Sequence, residues 1–582
     1  VETHPVELTD SRRLTGPGPL LDGPGAVIEV RVEDGTAAPF AAAWEAHARR
    51  VLEAVGWGGE RTRVTRYPGG LSLALTAPLD ALYAATEANE WAFAAAAAQL
   101  RGEPVPPLDE GAARLRGEIA REANPRLAAL ADAARERGVA FLADDEAVTM
   151  GMGAGAATWP PDALPAPDAV EWACVHDVPV ALVTGTNGKT TSVRLLAAIA
   201  AAAGISAGYA TTDEVVVEGE TVERGDFAGP MGARRVLRDP RVRAAVLETA
   251  RGGMMRRGLV VGRARAALVT NVAADHLGEF GVHDLEALAA VKLAVAAVVE
   301  PGGQVVLNAE DPVLAAAAAG RVSAPVTWFA ASPDHPLLRA HLATGGRACF
   351  VENGRFVLAR GGERIPLLRV DEAPVTMGGA AAHNVRNALG ALGVAWAMGW
   401  PPAAMAQGLR AFGADGRRNE GRAEVLEVGG ARAVVDFAHN PHAMEALAGL
   451  ARALPASRRL VLLGQAGDRD DDAVRELVRA AVALGPDHVV VKEMKGLLRG
   501  RAEGEIPALV RDELRACGVP DGAVEDAPSE LEGVRRALAW ARPGDLLVLP
   551  VHKQRPAVMA LLARLAASGW KAGEPLPDAG EG

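Results

Sequence analysis

The residues best suited to chemistry are Gly185-Thr186-Asn187-Gly188-Lys189-Thr190-Thr191. Two glycines this close let successive backbone N–H groups turn inward around an anion. The apolar run before them reads as a strand, and the Ala- and Leu-rich run after them reads as a helix. That order sets the partial positive charge of a helix N-terminus behind the turn. Lys189 is then placed to reach the β- and γ-phosphates of ATP, and the Thr190 hydroxyl to hold Mg²⁺. The competing reading is a glycine-rich turn with an incidental lysine. Only Thr186 and Asn187 separate the two glycines, a shorter spacing than in the common phosphate loop.

These residues need a scaffold, and 582 residues exceed what one hydrophobic core usually serves. Aromatic residues are only 4%, so Ala, Leu and Val must fill the cores. Residues 1–165 read as an α+β domain. It has a strand over 25–32, a hairpin of 61–67 and 71–76 around Pro68-Gly69-Gly70, and Ala-rich helices over 79–100 and 110–137. Gly151, Gly153 and Gly155, followed by Pro160, Pro161, Pro165 and Pro167, predict an extended linker.

Over residues 170–417, short apolar runs at 180–184, 244–247, 266–270 and 304–307 alternate with helical segments. That is the pattern of a parallel sheet covered by helices on both faces. Ligands bind such sheets beyond the carboxyl ends of the strands. Lys189, Glu248, Asn271 and Asn308 fall at those ends. Residues 418–582 repeat the alternation, with strands over 431–437, 459–463, 488–491 and 545–549, and predict a smaller Rossmann-like α/β domain. The tail from Glu574 is expected to fray.

Composition removes several classes of function. The net charge is −12 with no Lys/Arg block, which argues against nucleic acid as a partner. Cys174, Cys349 and Cys517 are far apart and carry no metal-ligand spacing. Buried, inert thiols in a reducing cytoplasm are expected. The most apolar stretch, 195–210, is broken by Gly204 and Gly208 and reads as a buried helix, not a membrane span. No signal peptide is expected, and homo-oligomers are expected on general grounds.

Several segments in order resemble the Mur ligase superfamily, and most closely the C-terminal Mur-ligase-like half of cyanophycin synthetase. Gly-Thr-Asn-Gly-Lys-Thr-Thr is the loop form of Mur ligases and folylpolyglutamate synthases. The further segments are Gly225-Asp226-Phe227-Ala228-Gly229-Pro230, Leu247-Glu248-Thr249-Ala250-Arg251-Gly252-Gly253, Asn271 with Asp275-His276-Leu277-Gly278, and Asp436-Phe437-Ala438-His439-Asn440-Pro441. The similarity covers about residues 175–560. It implies an ATP-dependent ligase: a carboxylate is phosphorylated, and the acyl phosphate is attacked by an amine to give an amide.

The resemblance also implies roles. Glu248 and His276 would hold metal ions, and Lys292 matches a lysine that is carbamylated in the family; a solvated surface lysine is the alternative. Thr211, with Thr212 beside it, matches a metal-binding turn, or is an ordinary turn. His383, Asn384 and Asn387 match a His-Asn-x-x-Asn motif suited to adenine, though Asn384 also suits a helix cap. Asn308 and Asp311 match an Asn-x-x-Asp motif counted with the nucleotide site. Arg422 matches an arginine that reaches the γ-phosphate from a hinge, although Glu420 stands where proline is common. Asp436 matches an acid that contacts the nucleotide. His439 and Asn440 are candidates for the substrate side, or Asn440 for a helix cap.

Cyanophycin synthetase carries an ATP-grasp domain ahead of its Mur-like half. Here the proline-rich stretch leads directly to the phosphate loop, so one bond-forming centre is expected. Leu14-Thr15-Gly16-Pro17 is faintly similar to that enzyme's opening, which would make residues 1–165 a part that positions an acyl or polymeric substrate. A silent ATP-binding scaffold, an NTPase that drives motion and a folylpolyglutamate-synthase-like ligase are the other readings. Amine-dependent release of ADP separates the ligases from the rest.

Overall fold

The structure, a computed structural model, describes residues 6–413 and 419–577. The chain forms two compact units. The first runs through Val272 and takes in Leu277–Leu367 and Arg386–Gly408. The second consists of Ala273–His276, Leu368–Val385 and the chain from Leu409 onward. The expected division at 417/418 lies outside the described residues.

The first unit opens with an antiparallel sheet in the order Val6–Leu14, Gly25–Val32, Gly70–Thr76, Thr62–Tyr67. Helices Asp34–Ala54 and Leu82–Arg101 supply the apolar residues that bury it, Phe40 and Trp44 among them. The helix expected over 110–137 is two helices, Leu108–Glu122 and Pro125–Arg137. Pro125 lacks an N–H and ends the first helix; Asn124 caps the second by accepting from Leu127 N at 3.1 Å.

The stretch expected to be a linker is folded. Its strand Ala157–Trp159 completes a small sheet with Phe141–Ala143 and Val148–Met150. Leu164, Val170 and Val175 bury against that sheet, and Ala154 N donates to Val242 O at 2.8 Å. The prolines fix an extended path, but buried side chains on that path hold it down.

The main sheet of the first unit has eleven strands. Val180–Thr184 lies at its middle, between Ala244–Glu248 and Ala264–Val269, both parallel to it. Glu248 pairs in register with Val183, and Val269 with Thr184, so the three carboxyl ends are level. All five residues of the central strand are buried, as its unbroken apolar run requires of a strand covered on both faces. Both edges depart from the all-parallel expectation. Glu214–Val217 and Glu220–Arg224 form an antiparallel hairpin at one edge, and Arg347–Glu352 and Arg355–Arg360 another on the far side. Asn353-Gly354, both at positive φ, close the latter. The helix expected across 195–210 ends at Ala202; Gly204 turns the chain, and Ala207–Ala210 is a strand.

The second unit holds a six-stranded sheet in the order Glu424–Val428, Ala431–Asp436, Leu546–Pro550, Arg459–Leu463, His488–Lys492, Val524–Ala527. The first pair is antiparallel and the rest parallel. The tail does not fray at Glu574: Trp570 Nε1 donates to Glu574 O at 3.2 Å, and Leu576 packs on the core. Of the three thiols only Cys349 is buried, and burial pushes it up to about 12; Cys174 is exposed and Cys517 partly so. No described helix is long and apolar enough to cross a membrane.

Candidate active site

The glycine-rich loop from Gly185 joins the central strand Val180–Thr184 to the helix Lys189–Ala202. Gly188 stands at the helix N-cap with φ 83°, a conformation that favours glycine. A side chain there would collide with the Asn387 amide, and one at Gly185 with the Thr270 hydroxyl. The loop is therefore lined by backbone. Its back is tied to the neighbouring strand end: Thr186 N donates to Asn271 O at 2.9 Å, and Asn187 N to Asn271 Oδ1 at 3.0 Å. Thr270 Oγ1 and Asn271 Nδ2 both donate to Asn187 O, at 2.6 and 3.0 Å. Lys189 Nζ donates to Thr186 O at 3.0 Å, which keeps the ammonium at the loop. This cradle suits a polyphosphate.

Beside it, Thr190 Oγ1 donates to Glu248 Oε2 at 2.9 Å and lies 3.2 Å from Thr212 Oγ1. A hydroxyl, a carboxylate and a second hydroxyl are the hard oxygen donors Mg²⁺ takes, so these residues fit the ion. The Thr211 hydroxyl, expected in a metal-binding turn or an ordinary one, is engaged within the turn. It accepts from Asp213 N and Glu214 N and donates to Glu214 O, each at 3.2 Å. It closes the turn that presents Thr212. Arg194 braces the same turn, 3.1 Å from both Asp213 and Glu214.

Asn308 and Asp311 also serve the loop from behind. Asn308 Nδ2 donates to Thr270 O at 3.1 Å, and Asp311 Oδ2 accepts from Val272 N at 2.6 Å. They hold the strand end that holds the loop. Lys292, on the helix Leu285–Leu293, is 4% exposed, which removes the reading as a solvated surface charge. Asn387 lies against Gly188. His383 is half-buried at the first turn of the helix Ala382–Ala397, and Asn384 Nδ2 donates to Val375 O at 3.0 Å.

In the second unit, polar residues gather at the carboxyl ends of the strands. Asp436 Oδ2 accepts from Ala423 N at 2.6 Å; burial raises its carboxyl, and Arg422 works against that rise. The Arg422 guanidinium lies 4.4 Å from the centre of the Phe437 ring. Asn440 caps the helix Pro441–Ala453, accepting from Ala443 N at 2.9 Å. The segment Ala273–His276 belongs to this unit. Asp275 lies 2.9 Å from Arg469 and 3.5 Å from His439. Burial would raise the Asp275 carboxyl, but His439 and Arg469 hold it well below the usual range. His276 Nε2, expected to face a metal, accepts from Arg469 at 3.0 Å.

The motifs name Thr212 and Asp275 only as neighbours of Thr211 and His276, and they do not bring out a buried group formed by Lys492, Glu530 and His552. Lys492 Nζ lies 2.7 Å from Glu530 Oε1 and 3.2 Å from His552 Nδ1. Burial, then the Lys492 charge, pushes His552 from its ordinary 6.5 to about 4. A histidine depressed on folding contributes stability present above its unfolded pKa and lost as pH falls towards the folded one. The fold should therefore weaken between about pH 6.5 and 4, by on the order of 3 kcal/mol. The thermal midpoint should drop across that window, and drop less in His552→Gln. Equal slopes in the two proteins would dismiss His552 as the source.

Two family models cover these regions. Residues 183–395 match the Mur ligase middle domain, and residues 421–550 the Mur ligase, glutamate ligase domain. A UDP-N-acetylmuramate–L-alanine ligase of Kineococcus radiotolerans is 31% identical over 455 residues, 76% of this chain and 81% of that protein. The chain belongs to the Mur ligase family. Cyanophycin synthetase of Trichormus variabilis is 38% identical over 372 residues, 64% of this chain and 41% of that protein. That of Synechocystis sp. is 38% identical over 390 residues, 66% and 44%. The chain thus spans about two-fifths of the length of these cyanophycin synthetases. The Mur ligase fold is also seen in a bifunctional folylpolyglutamate synthase/dihydrofolate synthase, at a TM-score of 0.50 and 20% identity over 66% of this chain and 89% of that one.

Proposed function

We propose that this chain is an ATP-dependent ligase that joins a carboxylate to an amine, an amino acid or a peptide-like molecule, through an acyl phosphate. The γ-phosphoryl group passes to the substrate carboxylate and ADP leaves. The amine then attacks the acyl carbon, loses a proton, and displaces phosphate to leave an amide. The observation that carries this reading is the backbone-lined loop with the Thr190–Glu248 oxygen pair beside it, in a chain of the Mur ligase family.

Each residue then has a task. The N–H groups from Gly188 into the start of the helix, and the Lys189 ammonium, hold the phosphates. Thr190, Thr212 and Glu248 would hold Mg²⁺, which when bound neutralises charge on the phosphoryl group. Lys292, buried as it is, takes part as a carbamate, whose charge is opposite to that of the ammonium. Asn387 and His383-Asn384 serve the adenosine side. Arg422 reaches the γ-phosphate, Asp436 and His439 serve the nucleotide and substrate, and His276 would hold a metal ion. Residues 1–165 position the acyl substrate for the parts at 170–417 and 418–582.

The test is phosphate release from MgATP across a matrix of amino acids, dipeptides and β-aspartyl peptides, with and without bicarbonate, and mass spectrometry of the products. Release that requires one acid and one amine, with a new amide mass, is the expected result. Release with no acid or amine present would replace the ligase by an NTPase. Turnover indifferent to bicarbonate depletion would remove the Lys292 carbamate.

A further inference from the structure

The buried group in the second unit has more order than stability alone would ask of it. Lys492 is fully buried and Glu530 is 3% exposed. Such a pair is expensive to desolvate and is weak evidence for stability by itself, so its partners matter. Besides Lys492, Glu530 accepts from three successive backbone donors: His552 N at 2.8 Å, Lys553 N at 2.7 Å and Gln554 N at 2.7 Å. These N–H groups precede the helix Arg555–Ser568 and form a small anion nest filled by the protein's own carboxylate. Residues 552–554 are thereby pinned.

The pinned segment acts in two directions. His552 Nε2 lies 3.1 Å from Ala438 O, and Nδ1 lies 3.2 Å from both Lys492 Nζ and Glu530 Oε1. A carbonyl only accepts and an ammonium only donates, so the neutral ring carries its proton on Nε2, which donates to Ala438 O, and Nδ1 accepts a hydrogen bond from Lys492 Nζ. The ring also meets Phe437 edge-on, with centroids 5.1 Å apart. Phe437 is the ring on which the Arg422 guanidinium rests. In the second direction, Arg555 packs its Cδ against Gly421, the residue before Arg422; Gly421 has φ 68° and no room for a side chain there. The platform under Arg422 and the backbone leading into it are both held from one short segment.

We propose that His552, pinned through Glu530 and Lys492, is a positioning residue that fixes the Phe437 seat of Arg422 and so presents Arg422 for phosphoryl transfer. This rests on the reading of Arg422 given above.

A double-mutant cycle on acid-dependent phosphate release, with the substrate pair found in the matrix, tests it. His552→Leu should lower kcat about 30-fold and shift KM for ATP by less than about threefold, because a misaligned arginine costs the transition state more than the bound state. His552→Gln keeps an N–H near the Nε2 position and should stay within about threefold of the parent. Arg422→Ala should lower kcat about 100-fold, and adding His552→Leu to it should lower kcat no further. Losses that multiply, or a Gln variant as poor as Leu, would overturn the positioning role. Unchanged turnover in Arg422→Ala would instead overturn the reading on which it rests. Should His552→Leu fail to fold, Phe437→Leu takes its place in the same cycle with the same expected non-additivity.

Discussion

Lys189→Ala should lower phosphate release about 10³-fold while the protein still folds. The scale is that of removing one preorganised charge or donor from a phosphoryl-transfer site. The fold should survive because the side chain is not core: its hydrogen bond to Thr186 O at 3.0 Å is local to the loop. The loop is held instead from behind, by Thr270, Asn271 and, through them, Asn308 and Asp311. Circular dichroism and a thermal midpoint close to the parent's would show that the variant is folded. Nucleotide affinity should fall less than kcat, since backbone N–H groups still face the phosphates. Acid- and amine-dependent turnover within tenfold of the parent would sink the assignment of this loop.

How much of this was legible in the residues depends on whether a job is local. The phosphate loop, its strand and its helix sit within one short run, and the spacing of Gly185, Gly188 and Lys189 declared them. Apolar runs such as 180–184 and 459–463 likewise became buried parallel strands. The two antiparallel hairpins were missed because alternation with helices dominated the pattern; Asn353-Gly354 was the signal available for one of them. The proline-rich stretch misled because proline fixes the path of a chain and says nothing of what its neighbours bury. Site residues divide the same way. Motif order pointed to Glu248 and Thr190, which the fold brings within hydrogen-bond distance, but which of Thr211 and Thr212 has its hydroxyl engaged within the turn is not signalled by adjacent residues of one type. Asp275 with Arg469, and Lys492 with Glu530 and His552, are groups whose members lie far apart in sequence. Their meaning lies in a fold that brings strand ends together.

Glu248→Gln should raise the Mg²⁺ concentration for half-maximal turnover at least about tenfold and lower kcat about 10²-fold at saturating Mg²⁺. The change is nearly isosteric, and the amide can still accept from the Thr190 hydroxyl, so the oxygen-lined corner should persist with one charge fewer. What is lost is the anion. A hard divalent cation held by two neutral hydroxyls and one carboxylate loses most of its protein-side attraction with that carboxylate. Burial sharpens the effect: Glu248 is 2% exposed, so solvent screens the lost charge little. Binding of ATP without metal should change little, because the loop's N–H groups and Lys189 are untouched, and repulsion between Glu248 and the phosphates is relieved. The two measurements therefore move in opposite senses, metal dependence worsening while metal-free nucleotide affinity holds or improves. A general loosening of the site would worsen both. An unchanged Mg²⁺ dependence would take Glu248 out of the metal site and leave its carboxylate as a brace between Thr190 and the Thr212 backbone, 3.4 Å away.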